Sequence, residues 1–434
     1  MESAQSRLPN SNHTERELAA IETSQRTLHL SIEALLEQQP SIRHLKLRPV
    51  ERWSISTLPT ELIQEIFSWM DPASIAFYRL LSRHVNAALS LAPNESSHFV
   101  RLCLSRHCPK PTLSEARSYF PSKTDSEFLQ WPCAFQDSYA RFYLRHLLRI
   151  CWSQQLQFPS RLTASFGILN QLTSLQLCSC FMYGPFPVEL TELTSLETLI
   201  LDDNTLDGPL PSSIGEMTSL LELSVNSNRF SGSIPASLSL LSNLIYLNLG
   251  NNEFTGNIPA QLGQLKQLQE LHLYVNHLAG PIPVELCSLI NLQKLDLHDN
   301  ALSGTIPHEI HALKKLNGIN LTCNNLSGAI PATIGLLPDL KYLLADRNAF
   351  TGRIPPEIGQ LVQLRHLHLR ENQLSGEIPV EIGRLENLWG LLLSSNRLEG
   401  LVPAELRSMR CIIQCDLRNN AGLKCDFMFD GLEL

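Results

Sequence analysis

The sequence predicts an α/β solenoid, a stack of short repeats whose strands lie side by side in one parallel sheet. Three observations lead to this prediction. From Leu172 onward the chain repeats with a constant period of 24 residues. Each period contains Leu-x-Leu alternation, which predicts a short strand with one buried face. Each period also has an asparagine at the same position after that strand. About eleven such repeats follow without insertion, so we assign residues 165–434 to the repeats and a carboxy-terminal cap.

The asparagine column is the most regular feature of the repeats. A side-chain amide offers two donors and one acceptor, which suits a turn where backbone groups leave the strand. Repetition of this residue predicts a buried ladder, and Cys180 fills the same position one repeat earlier. Glycine and proline columns follow it and suit a tight bend and an extended segment. The ladder asparagines are Asn204, Asn228, Asn252, Asn276, Asn300, Asn324, Asn348, Asn372, Asn396 and Asn420.

The repeat can be written LxxLxLxxNxLxGxIPxxLGxLxx, as in the stretch from Leu268 to Pro283. This pattern resembles the leucine-rich-repeat family, and its LxGxIPxxLGxL half resembles the plant-type subclass. The resemblance covers about residues 165–425 and implies a horseshoe or superhelix with parallel concave strands. The cysteine-paired cap of secreted members does not precede the repeats, and no kinase motif follows them.

A second motif lies near the amino terminus. The segment from Leu58 to Ile75 begins with proline in a helical first turn and carries an apolar stripe of leucine, isoleucine and phenylalanine. This arrangement resembles the F-box, a helical module that docks substrate receptors on the adaptor of a cullin ubiquitin ligase. The adaptor-binding residues that the resemblance implies are Leu58, Pro59, Glu61, Leu62, Ile66, Phe67, Pro72 and Ile75.

The amino-terminal third is divided by composition. Residues 1–53 form a polar, partly helical region, 54–95 the F-box-like helical module, and 96–164 a linker and amino-terminal cap of the solenoid. The alternative to the F-box is an ordinary amphipathic helix that covers the first repeat's edge, because helix starts with proline and glutamate are common.

The concave face is the candidate partner-binding surface. Positions that alternate with buried leucines project from this face, and tyrosine, histidine and arginine gather in its middle. Aromatic and arginine side chains are frequent interface anchors. The alternative is that the concave face only contacts solvent and that an edge or loop of the solenoid binds the partner. The proposed residues are Tyr246, His272, Tyr274, Asp296, His298, Tyr342, Asp346, His366, His368 and Arg370.

Other classes of function lack support in the sequence. The formal charge is −8, and the single short basic stretch does not predict nucleic-acid binding. No apolar run is long enough to cross a membrane, and no phosphate-binding loop or nucleophile motif is present. The histidines lie on separate strands without metal-ligand spacing, so we expect no metal, no cofactor and no catalytic residue. Eleven cysteines without CxxC pairs suit a reducing compartment, which favours the cytoplasm or nucleus.

The leading hypothesis is therefore a non-catalytic substrate-recognition subunit of a cullin-type ubiquitin ligase. Its implied partners are a Skp-family adaptor, a cullin scaffold and an unknown protein substrate, with no nucleic acid and no membrane. Two alternatives remain open. One is an intracellular scaffold or immune-type sensor unrelated to ubiquitin, and the other is a secreted or surface recognition protein.

Overall fold

The computed structural model describes residues 136–137, 140–153, 159–409, 411–427 and 432–433. The repeats belong to one of two compact units, which comprises residues 113–122 and 144–434. The other unit comprises 1–112 and 123–143. The predicted regions 1–53 and 54–95, and with them every proposed adaptor-binding residue, lie outside the described residues. A short π-helical turn, Ala140–Leu144, precedes the first strand.

Among the described residues, thirteen strands form one parallel sheet, which we call the concave sheet. Its strands recur every 24 residues from Ser174 onward, as the repeat pattern predicts, and the parallel fold prediction is confirmed. The strands are Arg149–Ser153, Ser174–Cys178, Thr198–Ile200, Glu222–Ser224, Tyr246–Asn248, Glu270–His272, Lys294–Asp296, Gly318–Asn320, Tyr342–Leu344, His366–His368, Gly390–Leu392, Gln414–Asp416 and Leu432–Glu433.

A second parallel sheet of twelve strands is formed mostly by the described segments that follow the ladder asparagines. It contains the glycine column, whose members from Gly184 to Gly400 have positive φ, so glycine is suited to this bend. The strands are Ser160–Arg161, Met182–Pro185, Thr205–Gly208, Arg229–Ser233, Glu253–Asn257, His277–Pro281, Ala301–Gly304, Asn325–Gly328, Ala349–Gly352, Gln373–Gly376, Arg397–Leu401 and Gly422–Lys424.

Short 3-10 helices close the described repeats on the side opposite the concave sheet. Most begin directly after the proline that recurs in each repeat, whose fixed φ suits the extended residue before a helix. Their close packing depends on glycine, since a Cβ at Gly263 would collide with the carbonyl of Glu285 in the next repeat. The helices are Ala164–Ile168, Val188–Glu192, Ser212–Glu216, Ala236–Leu240, Ala260–Gln264, Val284–Ser288, His308–Ala312, Ala332–Leu336, Pro356–Gln360, Val380–Arg384 and Ala404–Ser408.

The core lies between the two sheets and the helices. Its leucines are completely buried in repeat after repeat, for example Leu247, Leu271 and Leu273. Phenylalanine joins them where the repeat allows it, and the rings of Phe230 and Phe254 stack with their centroids 6.4 Å apart. Because each repeat buries its leucines against its neighbours, the stack shares one continuous core.

The asparagine ladder connects successive repeats. Asn252 is typical: its Oδ1 accepts from the backbone N–H of Phe230 at 3.0 Å, in the preceding repeat. Its Nδ2 lies within hydrogen-bond distance of the carbonyls of Val225, Leu249 and Gly250. In the first of these turns, Cys180 places its Sγ 3.3 Å from the carbonyl of Trp152, so a thiol serves the same purpose.

The residue just before each ladder asparagine adopts the left-handed conformation, with φ between 48° and 59° from Asp203 onward. Most of these residues are Asp, Asn or Ser, which tolerate this region through short polar side chains. Val275 is an exception at φ 48°, since a β-branched side chain is strained there.

Two strands extend the concave sheet beyond the repeats. Arg149–Ser153 pairs with Ser174–Cys178, although its offset is one residue longer than the repeat and no asparagine follows it. Its buried Trp152 packs edge-on against Phe166. At the other end Leu432–Glu433 pairs with the last repeat strand. Both ends of the repeated sheet are thus covered by strands that lack the repeat pattern.

Candidate partner-binding face

The concave sheet presents the ten proposed partner-binding residues in two groups. Strand pairing places Tyr246 beside Glu270 and His272 beside Asp296 in the first group. It places Tyr342 beside His366 in the second. Between the groups lies a strand that carries glycine, isoleucine and asparagine and no ring. The sequence columns treat this surface as one patch, whereas the structure separates it into two.

Four rings form the first group, which we call the ring platform: Tyr246, His272, Tyr274 and His298. The ring of Tyr246 lies 5.5 Å from that of His272, and His272 meets Tyr274 edge-on at 6.2 Å. Tyr274 then stacks on His298, with 4.9 Å between centroids and 9° between planes. The platform therefore extends without a break over three repeats.

Glycine at position 250 allows Tyr274 to lie flat along the sheet. A Cβ at Gly250 would come within 2.6 Å of the Tyr274 ring, so a larger residue would displace the ring. The tyrosine hydroxyl crosses this gap and donates to Oδ1 of Asn226 at 2.8 Å. Two repeats are thus bridged by one side chain, an arrangement that the sequence columns do not show.

Carboxylates surround the ring platform. Nε2 of His272 lies 3.0 Å from Glu270, which also pairs with Lys294 at 2.9 Å. Nδ1 of His298 lies 2.5 Å from Asp296. Burial opposes the charged imidazole of His298, but the hydrogen bond and the charge of Asp296 outweigh it and raise the pKa of His298.

The second group consists of Tyr342, His366 and His368, and the structure adds Trp389. Tyr342 stacks on His366 at 5.5 Å, and His366 meets both His368 and Trp389 edge-on. Trp389 was not among the residues proposed from the sequence, because it directly precedes a strand and lies outside the columns of projecting positions. Its ring is 42% exposed and lies under the guanidinium of Arg365 at 5.0 Å.

The two histidine environments differ in charge. Burial among neighbouring side chains, together with the positive charges of His366 and Arg370, lowers the pKa of His368 to about 4. Burial and the charge of Arg365 also lower the pKa of His366. The second group therefore presents neutral rings at neutral pH, in contrast to the acid-flanked rings of the first group.

Arg370 and Asp346 belong to a network at the carboxy-terminal end of the sheet. Asp416, which is 2% exposed, pairs with Arg370 at 3.3 Å and with Arg418 at 2.9 Å and accepts from the Ser394 hydroxyl. Asp346 accepts from the backbone N–H of Arg370 at 2.7 Å. Arg370, proposed as a partner anchor, is thus already engaged within the chain, because it balances a buried carboxylate.

Other features of the described residues bear on the class of function. No three His, Cys, Asp or Glu side chains in this part of the chain gather closely enough to hold a metal ion. The paired histidines His308 and His311 lie on a 3-10 helix away from the concave sheet. No helix within the described ranges is long and apolar enough to cross a membrane.

Comparison with known protein families identifies both parts of the chain. Residues 55–94 match the F-box domain. Residues 163–305 match the leucine-rich repeat region family, and 290–350 and 363–385 match leucine-rich repeat families. None of the curated protein sequences compared matches this chain.

Solved structures similar to this chain include three receptors. A TDR receptor is 31% identical in sequence, with a TM-score of 0.61. The match covers 69% of this chain and 50% of the receptor chain. The plant peptide hormone receptor RGFR1, solved with RGF2, is 30% identical with a TM-score of 0.55, covering 64% and 52%. The Arabidopsis receptor kinase HAESA ectodomain, with an IDA peptide hormone, is 28% identical with a TM-score of 0.51, covering 71% and 60%.

This chain therefore spans about half the length of the first two receptors that it matches. The structural likeness establishes the repeat fold, and the family matches establish the order of the two parts. With an F-box domain at 55–94 and repeats from 163 onward, the chain is an F-box protein with leucine-rich repeats.

Proposed function

We propose that the chain is the substrate-recognition subunit of a cullin-type ubiquitin ligase. The observation that carries the proposal is the F-box domain at 55–94 ahead of an uninterrupted recognition sheet. An F-box implies binding to a Skp-family adaptor in general, and the cullin would be reached through that adaptor. F-box and repeat domains are typical of non-catalytic binding proteins.

In this proposal the concave sheet holds the substrate. The ring platform and the group around Tyr342 and His366 offer aromatic anchors of the kind that dominate protein interfaces. Two of the similar receptors hold peptide hormones in their solved structures, which supports a surface suited to a peptide segment. Transfer of ubiquitin would follow from positioning, because a tethered substrate lysine has a high effective concentration near the conjugating enzyme.

We propose the cytoplasm or nucleus as the site of action. The cysteines of the described residues form no disulfide with one another, and they include exposed thiols at Cys151 and Cys411. Thiols of this kind persist in a reducing compartment. The alternatives from the sequence are an intracellular scaffold or immune-type sensor without an adaptor, and a secreted or surface recognition protein.

Adaptor docking can be tested with a matched pair of variants. Leu58→Ala with Pro59→Ala removes the apolar start of the F-box, and we expect recovery of the adaptor to fall by at least about tenfold, since buried anchors dominate such interfaces. Leu8→Ala with Pro9→Ala changes the same dipeptide outside the F-box and should leave recovery unchanged. The measurement is quantitative co-purification of the Skp-family adaptor and cullin with the full chain.

Thermal denaturation serves as the control, because both double variants should retain the unfolding transition of the repeats. If the intact chain recovers no adaptor, or if the F-box variant recovers as much as the Leu8 and Pro9 variant, the ubiquitin ligase proposal is wrong. A scaffold unrelated to ubiquitin would then be the better assignment.

A further inference from the structure

The charges of the concave face are divided unequally along the stack. Over the strands from Thr198 to Asp296 and the turns that follow them, the projecting positions carry six carboxylates, Asp202, Asp203, Glu222, Glu270, Asp296 and Asp299. Lys294 is the single lysine or arginine among those positions, and it pairs with Glu270. The first half of the described concave face is therefore strongly acidic.

In the second half of the concave face, several carboxylates form ion pairs with arginines of the same face. Arg347 pairs with Glu371 at 3.1 Å, and Arg370 and Arg418 pair with Asp416. In contrast, the carboxylate of Asp202 accepts only from the Ser224 hydroxyl and the Asn226 N–H among the described hydrogen bonds. No described lysine or arginine forms an ion pair with Asp202 or Glu222. Most described carboxylates on the second half of the face are thus in ion pairs with arginine, whereas Asp202 and Glu222 in the first half are not.

The unbalanced carboxylates lie next to the ring platform. Glu222 pairs in register with Tyr246, so the two side chains are neighbours on the same face. Asp202 accepts from the backbone N–H of Asn226, and the Asn226 side chain accepts from the Tyr274 hydroxyl. Aromatic faces and uncompensated carboxylates are therefore contiguous over the strands from 198 to 272. Burial, in the first place, and the neighbouring charge of Asp202 raise the pKa of Glu222.

A guanidinium group fits this combination better than other side chains. It is planar and permanently charged, it stacks on aromatic faces, and its donors can engage carboxylates at its edge. An ammonium group offers the charge without the planar stacking. Acidic and apolar segments would leave the carboxylates of this half without a counter-charge.

We propose that the ring platform and its flanking carboxylates Asp202 and Glu222 bind an arginine-containing extended segment of a protein partner. This inference rests on the proposed role of the concave sheet in substrate recognition and names the chemistry of that substrate. The occupied strands, from Thr198–Ile200 to Lys294–Asp296, span four inter-strand spacings of about 4.8 Å each, which about six extended residues can cross.

The test is direct binding of labelled peptides to the purified full chain, measured by fluorescence anisotropy. The probes are three acetylated nine-residue peptides of alternating serine with arginine, lysine or glutamate. We expect the arginine peptide to bind more tightly than the lysine peptide, the glutamate peptide not to bind, and the arginine affinity to fall as salt is raised. Asp202→Asn with Glu222→Gln should weaken arginine binding by at least about tenfold, since charge-assisted contacts at a partly desolvated site are lost.

A matched variant controls for long-range charge. Glu371→Gln with Glu399→Gln removes the same two charges from exposed positions outside the platform and should change the arginine affinity by less than about twofold. Tyr246→Leu removes one ring without altering the charge and should abolish the preference for arginine over lysine.

Three outcomes would overturn the inference. The first is equal weakening by the two charge-removing variants, which would show a diffuse charge effect. The second is an arginine preference that survives Tyr246→Leu, and the third is no binding of the arginine peptide. None of these measurements involves the adaptor. Adaptor recovery without arginine binding therefore overturns this inference alone, and arginine binding without adaptor recovery overturns the ubiquitin ligase proposal alone.

Discussion

Replacement of a ladder asparagine should be far more costly than its small side chain suggests. In Asn252→Ala, the N–H of Phe230 loses its acceptor, and the carbonyls of Val225 and Gly250 each lose one of two donors, keeping the Asn228 amide and the Ser227 N–H. These groups are buried, and water cannot replace the amide without entering the core. With about 1–3 kcal/mol for the unsatisfied N–H and about 0.5 kcal/mol for each of the two lost carbonyl hydrogen bonds, the free energy of unfolding should fall by about 2–4 kcal/mol.

Two further substitutions at the same position make the reasoning specific. Asn252→Cys should cost less than Asn252→Ala, because Cys180 shows that a thiol can face a carbonyl in this position. Asn252→Asp should cost more, because it directs a carboxylate at carbonyl oxygens that need donors. The aspartate variant should also regain stability as pH falls and its carboxyl is protonated, since the protonated group again has a donor.

Urea denaturation with hydrogen exchange at the Phe230 amide measures both the global and the local effect. The local measurement is needed because a repeat stack can open in part without complete unfolding. The reasoning is wrong if the free energy of unfolding of Asn252→Ala lies within about 1 kcal/mol of that of the natural chain, or if the aspartate variant is no less stable than the alanine variant. In either case the ladder does not stabilise the fold through hydrogen bonds to buried backbone groups.

Three other substitutions have expected outcomes of known sign. Val275→Asn should raise the free energy of unfolding by about 1 kcal/mol in urea denaturation, since a β-branched residue at φ 48° is strained, whereas the reverse change Asn251→Val should lower it by a similar amount. Equal stability of the two variants would contradict this. His368→Gln should make the free energy of unfolding less sensitive to acid, because the natural histidine opposes folding when it is protonated. The folded-state pKa of His368, about 4, lies below the unfolded value near 6.5, so its stabilisation is complete above pH 6.5 and disappears as pH falls towards 4. The difference in the free energy of unfolding between the natural chain and His368→Gln should change by about 2 kcal/mol between pH 7 and pH 5. If the two chains depend on pH in the same way, the lowered pKa of His368 is wrong.

Much of the fold could be predicted from the sequence because the repeat is rigid in length. A constant period with Leu-x-Leu and asparagine in register leaves one way to bury every leucine, and the strands lie where that period places them. The end strands could not be predicted in the same way. Arg149–Ser153 has no asparagine and an offset longer by one residue, so only its contact with the first repeat strand reveals its role.

The candidate site was predictable in composition and not in arrangement. Column positions identify which side chains project from the sheet, and these include the tyrosines and histidines of both ring groups. They do not show that Tyr274 lies across Gly250 to reach Asn226, because this arrangement depends on the absence of a Cβ at Gly250 in another repeat. Nor do they show that Arg370 is held by Asp416, which is two repeats further along the chain.

The ladder also constrains how such a gene can change in length. Each asparagine satisfies groups 22 and 27 residues upstream, so its bonds to other repeats run to the repeat before it. Duplication or loss of one whole 24-residue unit therefore joins two compatible neighbours, wherever in the unit the break falls. Recombination that adds or removes one codon shifts the register of the bonds across the junction. Unequal crossing-over within the gene can thus lengthen or shorten this recognition surface in whole repeats, and each new strand arrives with three projecting positions free to vary.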